Sequence, residues 1–123
     1  MDRTIDKLEE IFRLQEAFDT ELARRRGLEF GFEEWIQRET LAIVAELGEL
    51  LEEVNFKWWK NPKPVDRARV TEELVDILHF FVSACIKAGL DADMLYRAYT
   101  GKNRENFRRQ DGQSDRPGYR APD

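Results

Sequence analysis

Apolar residues recur at three- and four-residue steps along most of this chain, and no stretch shows the two-residue alternation of a strand. Ile5, Leu8, Ile11, Phe12, Phe18 and Leu22 mark a first helix over residues 4–26. Arg24, Arg25 and Arg26 suit the negative end of its dipole, and Gly27 supplies the stop. Gln15 interrupts the apolar stripe. Its amide is either a satisfied core group or a group that reads something polar. After a connector at 27–31, a second helix is predicted over residues 33–60, ended by Asn61-Pro62-Lys63-Pro64. A third spans 65–88 with Gly89 as its cap. Asp91 caps a short fourth helix through residue 99, Gly101 breaks it, and residues 102–109 add a last turn or two. Residues 111–123 hold two prolines and almost nothing apolar, so a mobile tail is expected there. The class is all-α, a helical bundle forming one domain over residues 1–110.

The second helix carries its acids on one stripe. Glu39, Glu46, Glu49 and Glu53 share it, while Leu41, Ile43, Val44, Leu47, Leu50, Leu51 and Val54 cover the opposite half. An ordinary solvated face would look similar. Yet from Glu39 to Phe56 there are five acids and no Lys or Arg, so the i,i+4 ion pairs of an exposed face are missing. On the third helix Glu73-x-x-Asp76 forms a second pair, followed by a run that is apolar nearly all round: Ile77, Leu78, Phe80, Phe81, Val82, Ala84, Cys85, Ile86. Such a helix is expected to be buried, which sets its acids at the edge of a core, where an unpaired charge is expensive. Arg69 can neutralise one acid but not four. Residues three apart on a helix are neighbours, so antiparallel packing of these two helices lets Glu46, Glu49, Glu73 and Asp76 converge. Oxygen-only ligands suit hard cations, Mg²⁺ with Mn²⁺ as a substitute.

Composition narrows the classes. The 123 residues suffice for one domain with a sizeable core. A net charge of −5 argues against general nucleic-acid binding. The charged start Met1-Asp2-Arg3-Thr4 lacks an apolar signal core, and no apolar run is long enough to span a membrane. Cys85 stands alone on an apolar helix, as a small core residue in a reducing compartment does. A cytoplasmic protein is expected. Between Arg97 and Arg109 the charge inverts: Arg97, Lys102, Arg104, Arg108 and Arg109 against Glu105 alone. That is a solvated helix end or, with Asn103, Asn106 and Gln110 interleaved, a surface for phosphate oxygens. Phe56-Lys57-Trp58-Trp59-Lys60 is core or interface packing, or a wall on which a nucleobase stacks. Too few helices are available to cover the third, so a homo-oligomer is expected, most simply a homodimer.

Taken together, these motifs resemble those of the all-α nucleoside triphosphate pyrophosphohydrolases, the superfamily of MazG-like proteins and dimeric dUTPases. Glu46-Leu47-Gly48-Glu49 and Glu73-Leu74-Val75-Asp76 are similar to the paired metal motifs. The dimeric dUTPases match more closely. Leu14-Gln15 resembles their first motif, Phe56-Lys57-Trp58-Trp59-Lys60 the segment after the first acid pair, and Asp76-Ile77-Leu78-His79-Phe80 extends the second. Tyr99, Lys102, Asn106, Arg109 and Gln110 resemble the last, basic motif. The likeness covers about residues 8–110. The chain is short for that family, and Asp19 stands where Asn or Asp is expected; a carboxylate there cannot donate as an amide can.

The resemblance implies Mg²⁺-dependent hydrolysis of dUTP to dUMP and diphosphate. Glu46, Glu49, Glu73 and Asp76 would be the catalytic, metal-holding acids, with Glu49, backed by Glu53, taking a proton from water. Gln15 would read the uracil edge, Phe80 or a tryptophan such as Trp59 would pack the base or sugar, and His79 would orient the sugar. Lys57 lies in the same substrate-binding segment as Trp59. Lys102, Asn106 and Arg109 would clamp the phosphates, with Asp19, Tyr99 and Gln110 as further candidates. A nucleotide is the implied partner. Three rivals stand beside this: another nucleotide such as dCTP or a damaged one; a di-iron carboxylate protein, since Asp76-x-x-His79 mimics a helical iron-binding signature; and a non-catalytic helical interaction protein.

Overall fold

The computed structural model describes residues 4–119. The expectations for the extreme N-terminus and for the last four residues of the tail lie outside that range. Four helices and no strand occur among the described residues: α1 (Lys7–Arg26), α2 (Phe32–Glu53), α3 (Arg67–Lys87) and α4 (Ala92–Gln110). The chain divides after Leu90 into two compact units, the first holding α1–α3 and the second α4 with the segment that follows it.

Side-chain caps explain where three helices begin. Asp6, Asp66 and Asp91 each accept a backbone N–H of the first turn of α1, α3 and α4, and α1 therefore starts at Lys7 rather than at residue 4. The second helix ends seven residues before its predicted end. Asn55 adopts φ 59°, the left-handed region that Asn tolerates better than most residues. Its side-chain amide then pairs with both backbone groups of Lys63, at 2.9 Å each, which turns the chain before the proline pair is reached. At the end of α3, Gly89 takes φ 84°, and the N–H groups of Gly89 and Leu90 close back on Ile86 and Cys85. The fourth helix corrects another expectation. It runs unbroken through Gly101, because one glycine costs only about 1 kcal/mol in a helix interior.

Register within the first unit follows from side-chain pairs. Glu39 of α2 meets Ser83 and Lys87 of α3, whereas Glu46 and Glu49 meet Glu73, so these helices run antiparallel. Gln15 and Asp19 of α1 meet His79 and Ser83 in rising order, so α1 runs parallel to α3. Phe12, Val82 and Cys85 are the buried apolar side chains of this unit among the described residues. The expectation that α3 is buried on all sides is not met within the single chain. Val82 is covered, but Leu74, Val75, Leu78 and Phe81 remain exposed, because α1 and α2 reach only part of its circumference. Leu14 and Phe18 of α1 are exposed beside them. No described helix is long and apolar enough to cross a membrane.

In the second unit the segment after α4 folds back on its own helix. Ser114 is buried and donates to Glu105 Oε1 at 2.9 Å, and Tyr119 lies 5.5 Å from the Arg109 guanidinium. The part of the predicted mobile tail that is described is thus anchored at Ser114.

Candidate metal and nucleotide site

Three of the five acids between Glu39 and Phe56 find cations from outside α2. Glu39 pairs with Lys87 at 3.3 Å, Glu52 with Lys57, and Glu53 with Lys63 and Arg69 at 3.7 and 4.0 Å. Glu39 is therefore not on a solvated stripe but buried. Glu53, expected to back Glu49, is taken up by its two cations instead. Arg69, expected to be able to neutralise one of the four acids, turns to Glu53 and Asp66 instead.

Glu46, Glu49 and Glu73 are left together. One oxygen from each lies within 4.8 Å of the others. Glu46 Oε2 and Glu73 Oε2 are buried without a hydrogen-bond partner among the described residues. Burial, with the carboxylates of Glu49, Glu73 and Asp76 close by, pushes the Glu46 carboxyl up to about 7. Burial and Glu49 also raise Glu73. Asp76 falls outside the trio, but its charge acts on both residues, and it lines the same cavity as Glu46. Two orphaned buried oxygens amid like charge fit a bound hard cation, and the all-oxygen donor set fits Mg²⁺ or Mn²⁺.

The raised acid makes a pH prediction with a definite sign. A carboxyl whose pKa rises from its ordinary 4.5 to about 7 on folding binds more protons in the native state. Metal-free protein should therefore lose stability as pH rises from about 4.5 to 7 and level off above that. Added Mg²⁺ should stabilise increasingly over the same window, since ligation needs the deprotonated acids. Melting curves across that range, with EDTA and with Mg²⁺, measure both effects. Parallel curves would mean that the acids do not share a site.

Beside Glu46 and Asp76 opens a cavity of about 810 Å³. Gln15, Asp19, His79, Phe80, Ser83 and Lys87 line it together with apolar Ile11, Leu14, Phe18, Trp35, Val75 and Leu78. Gln15 proves to be both of the things a polar residue on an apolar stripe can be. It is buried and lines the cavity, with Nε2 donating to Asp19 Oδ1 at 2.9 Å and Oε1 lying 2.6 Å from His79 Nδ1. Behind Asp19, Ser83 Oγ lies 2.6 Å from Asp19 Oδ2 and 2.9 Å from Glu39 Oε1. Lys87 Nζ donates to Ser83, Asp19 and Glu39 and sits 4.1 Å above the Trp35 ring. His79, Ser83 and Lys87 recur every four residues, so one polar stripe of α3 continues from the acid trio into the cavity wall.

Glu39, Ser83 and Lys87 were absent from the sequence-based candidates. Their four-residue spacing in an otherwise apolar helix was the available signal for the two on α3.

Two further candidates of the first unit do not line this cavity. Lys57 and Trp59 line a separate pocket of about 590 Å³ with Phe56, Lys60, Asn61 and Lys63. Trp59 packs edge-on against Trp58 at 4.7 Å. In the second unit Tyr99, Lys102, Asn106 and Gln110 are exposed. Arg109 is largely buried, with Nε 3.4 Å from Glu105 Oε1 and Nη1 donating to Asn106 Oδ1 at 3.4 Å.

A family model described as dUTPase matches residues 7–93, most of the chain and all three helices that build the acid trio and the cavity. This chain belongs to the all-α dUTPase family. Two curated relatives of the family member described here are phage proteins named dCTP pyrophosphatase. That of Enterobacteria phage LZ5 is 32% identical over 75 residues, covering 61% of this chain and 44% of the relative. That of Enterobacteria phage T4 is 31% identical over 88 residues, covering 60% of this chain and 52% of the relative. The chain thus spans about half the length of the curated relatives it matches. No solved structure gives a significant match.

Proposed function

We propose that this protein is a Mg²⁺-dependent pyrophosphohydrolase of pyrimidine deoxynucleoside triphosphates, with dUTP its preferred substrate, cleaved to dUMP and diphosphate. The observation that carries this is the acid trio with its two orphaned oxygens beside a cavity whose wall presents the Gln15 amide. Glu46, Glu49 and Glu73 would hold the ion, with Asp76 as the fourth acid. A bound Mg²⁺ would offset phosphate charge and lower the pKa of a coordinated water. Glu49 is the exposed member of the trio and stands without a cation among the described residues, which suits it to receive a proton from water. Phe80 and the apolar wall favour a base and a deoxyribose over a ribose, whose added hydroxyl would need a partner there. His79 would orient the sugar. Lys102 and Asn106 are exposed on the second unit and suit phosphate oxygens, whereas Arg109 could join them only by leaving its contact with Glu105, and the segment with Lys57 and Trp59 is a further nucleotide-contacting candidate.

The exposed Leu14, Phe18, Val75 and Leu78 around the cavity support a second copy of this chain as their cover, so the active form is proposed to be a homodimer. Hydrolysis of dCTP is the second reading, favoured by the names of the two phage relatives.

Diphosphate release from dUTP, dCTP, dTTP, UTP and common modified triphosphates with Mg²⁺ tests the proposal. Uracil offers a donor between two acceptors, and a missing hydrogen bond is read more sharply than an added methyl. Rejection of dCTP should therefore exceed that of dTTP. A dCTP optimum would establish the second reading, and a flat profile a broad house-cleaning hydrolase. Coloured iron binding in place of Mg²⁺ stabilisation would return the di-iron alternative, and no metal effect the interaction protein.

A further inference from the structure

A carboxamide is an ambiguous reader of pyrimidines. With its N–H toward position 4 and its carbonyl toward N3 it matches uracil, which offers an acceptor and then a donor. Turned over by 180°, the same amide matches cytosine, which offers a donor and then an acceptor. Shape hardly changes on this flip, because oxygen and NH₂ are nearly the same size. Whatever fixes the flip therefore fixes the base.

In this protein both ends of the Gln15 amide are held. Asp19 Oδ1, at 2.9 Å from Nε2, is a carboxylate oxygen and can only accept, so the NH₂ must face it. His79 Nδ1, at 2.6 Å from Oε1, must then be the donor to the carbonyl. Asp19 is itself fixed from behind, by the Ser83 hydroxyl at 2.6 Å and the Lys87 ammonium at 3.3 Å. One N–H and one lone pair of Gln15 remain for a ligand, in an order that cannot be reversed without facing NH₂ toward a donor and oxygen toward a carboxylate. The second contact would repel, and in so buried a place that is costly.

Resting on the pyrimidine pyrophosphohydrolase reading above, we propose that Asp19 and His79 lock the orientation of the Gln15 amide, and that this lock decides between uracil and cytosine. Ser83 and Lys87 are positioning residues that act through Asp19. An Asn at position 19 can accept or donate, so it would release the lock while filling the same space.

The test is the ratio of kcat/KM for dUTP to that for dCTP, measured in the wild type, Asp19→Asn and Ser83→Ala. Asp19→Asn should bring that ratio at least about tenfold closer to one. General damage to the site would lower both substrates alike and leave the ratio in place. Ser83→Ala removes one of the two groups that fix Asp19, leaving Lys87 and the contact with Gln15, and should narrow the ratio less. If Asp19→Asn fails to fold, Ser83→Ala decides alone. A discriminating wild type whose ratio survives both substitutions overturns the lock and leaves the pyrophosphohydrolase reading standing. A wild type that accepts both bases equally also overturns it. A wild type that hydrolyses no deoxynucleoside triphosphate with Mg²⁺ removes the reading on which the lock rests, and the lock with it.

Discussion

Glu46→Gln is expected to lower hydrolysis by about a thousandfold or more while the protein stays folded. Glu46 offers a buried oxygen with no hydrogen-bond partner among the described residues, within 4.8 Å of oxygens from Glu49 and Glu73. A neutral amide keeps the shape but withdraws the ligand charge that a hard cation needs. Stability without metal should move the other way. Glu46 is pushed up to about 7 because burial and neighbouring carboxylates disfavour its charged form. At pH 8 it carries that charge at a cost, and the substitution removes it. The melting temperature of metal-free Glu46→Gln should thus exceed that of the wild type at pH 8, with little difference near pH 5. Mg²⁺ should no longer raise it. Activity assays and melting curves on one preparation separate lost chemistry from lost folding, and full activity in the variant would remove Glu46 from the site.

Lys87→Met is expected to be the most destabilising single substitution, at about 3–5 kcal/mol. Lys87 is the one cation within 4.0 Å of Asp19 and Glu39 among the described residues, and all three side chains are mostly buried. Removing the ammonium leaves two carboxylates sharing the one proton of the Ser83 hydroxyl, with the Gln15 amide still donating to Asp19 alone. Methionine fills a similar space beside Trp35, so lost packing is a small part of the effect. Denaturant unfolding measures the change. Adding Asp19→Asn and Glu39→Gln to Lys87→Met should restore much of the stability, since the buried charge then vanishes from both sides. A loss below about 1 kcal/mol would mean that the network is solvated and contributes as little as a surface pair.

The acid trio was legible in the sequence because its signal is an absence: from Glu39 to Phe56 the chain carries five acids and no Lys or Arg. Three of those five acids nevertheless found cations, and none of the pairs was visible beforehand. Lys87 lies 48 residues from Glu39, and Arg69 pairs across the turn with Glu53. Long-range pairing of this kind depends on the register between helices, which periodicity does not specify. The polar stripe of α3 was hidden for another reason. His79, Ser83 and Lys87 are three polar residues in a segment whose average is apolar, and only their spacing sets them on one face. Helix existence was legible throughout, but two boundaries were not. Prolines at 62 and 64 drew attention from Asn55, whose left-handed backbone and paired amide end α2 earlier. Gly101 looked like a break, yet α4 tolerates it. Apolar faces left exposed on α1 and α3 match the expectation that the single chain cannot cover α3.

The most direct measurement is product analysis with dUTP, run with Mg²⁺ and with EDTA, on the wild type and Glu46→Gln. The expected result is dUMP and diphosphate in equal amounts, from the wild type with Mg²⁺ alone. Formation of dUDP and phosphate, turnover in EDTA, or equal turnover by Glu46→Gln would contradict a pyrophosphohydrolase built on the Glu46, Glu49 and Glu73 cluster.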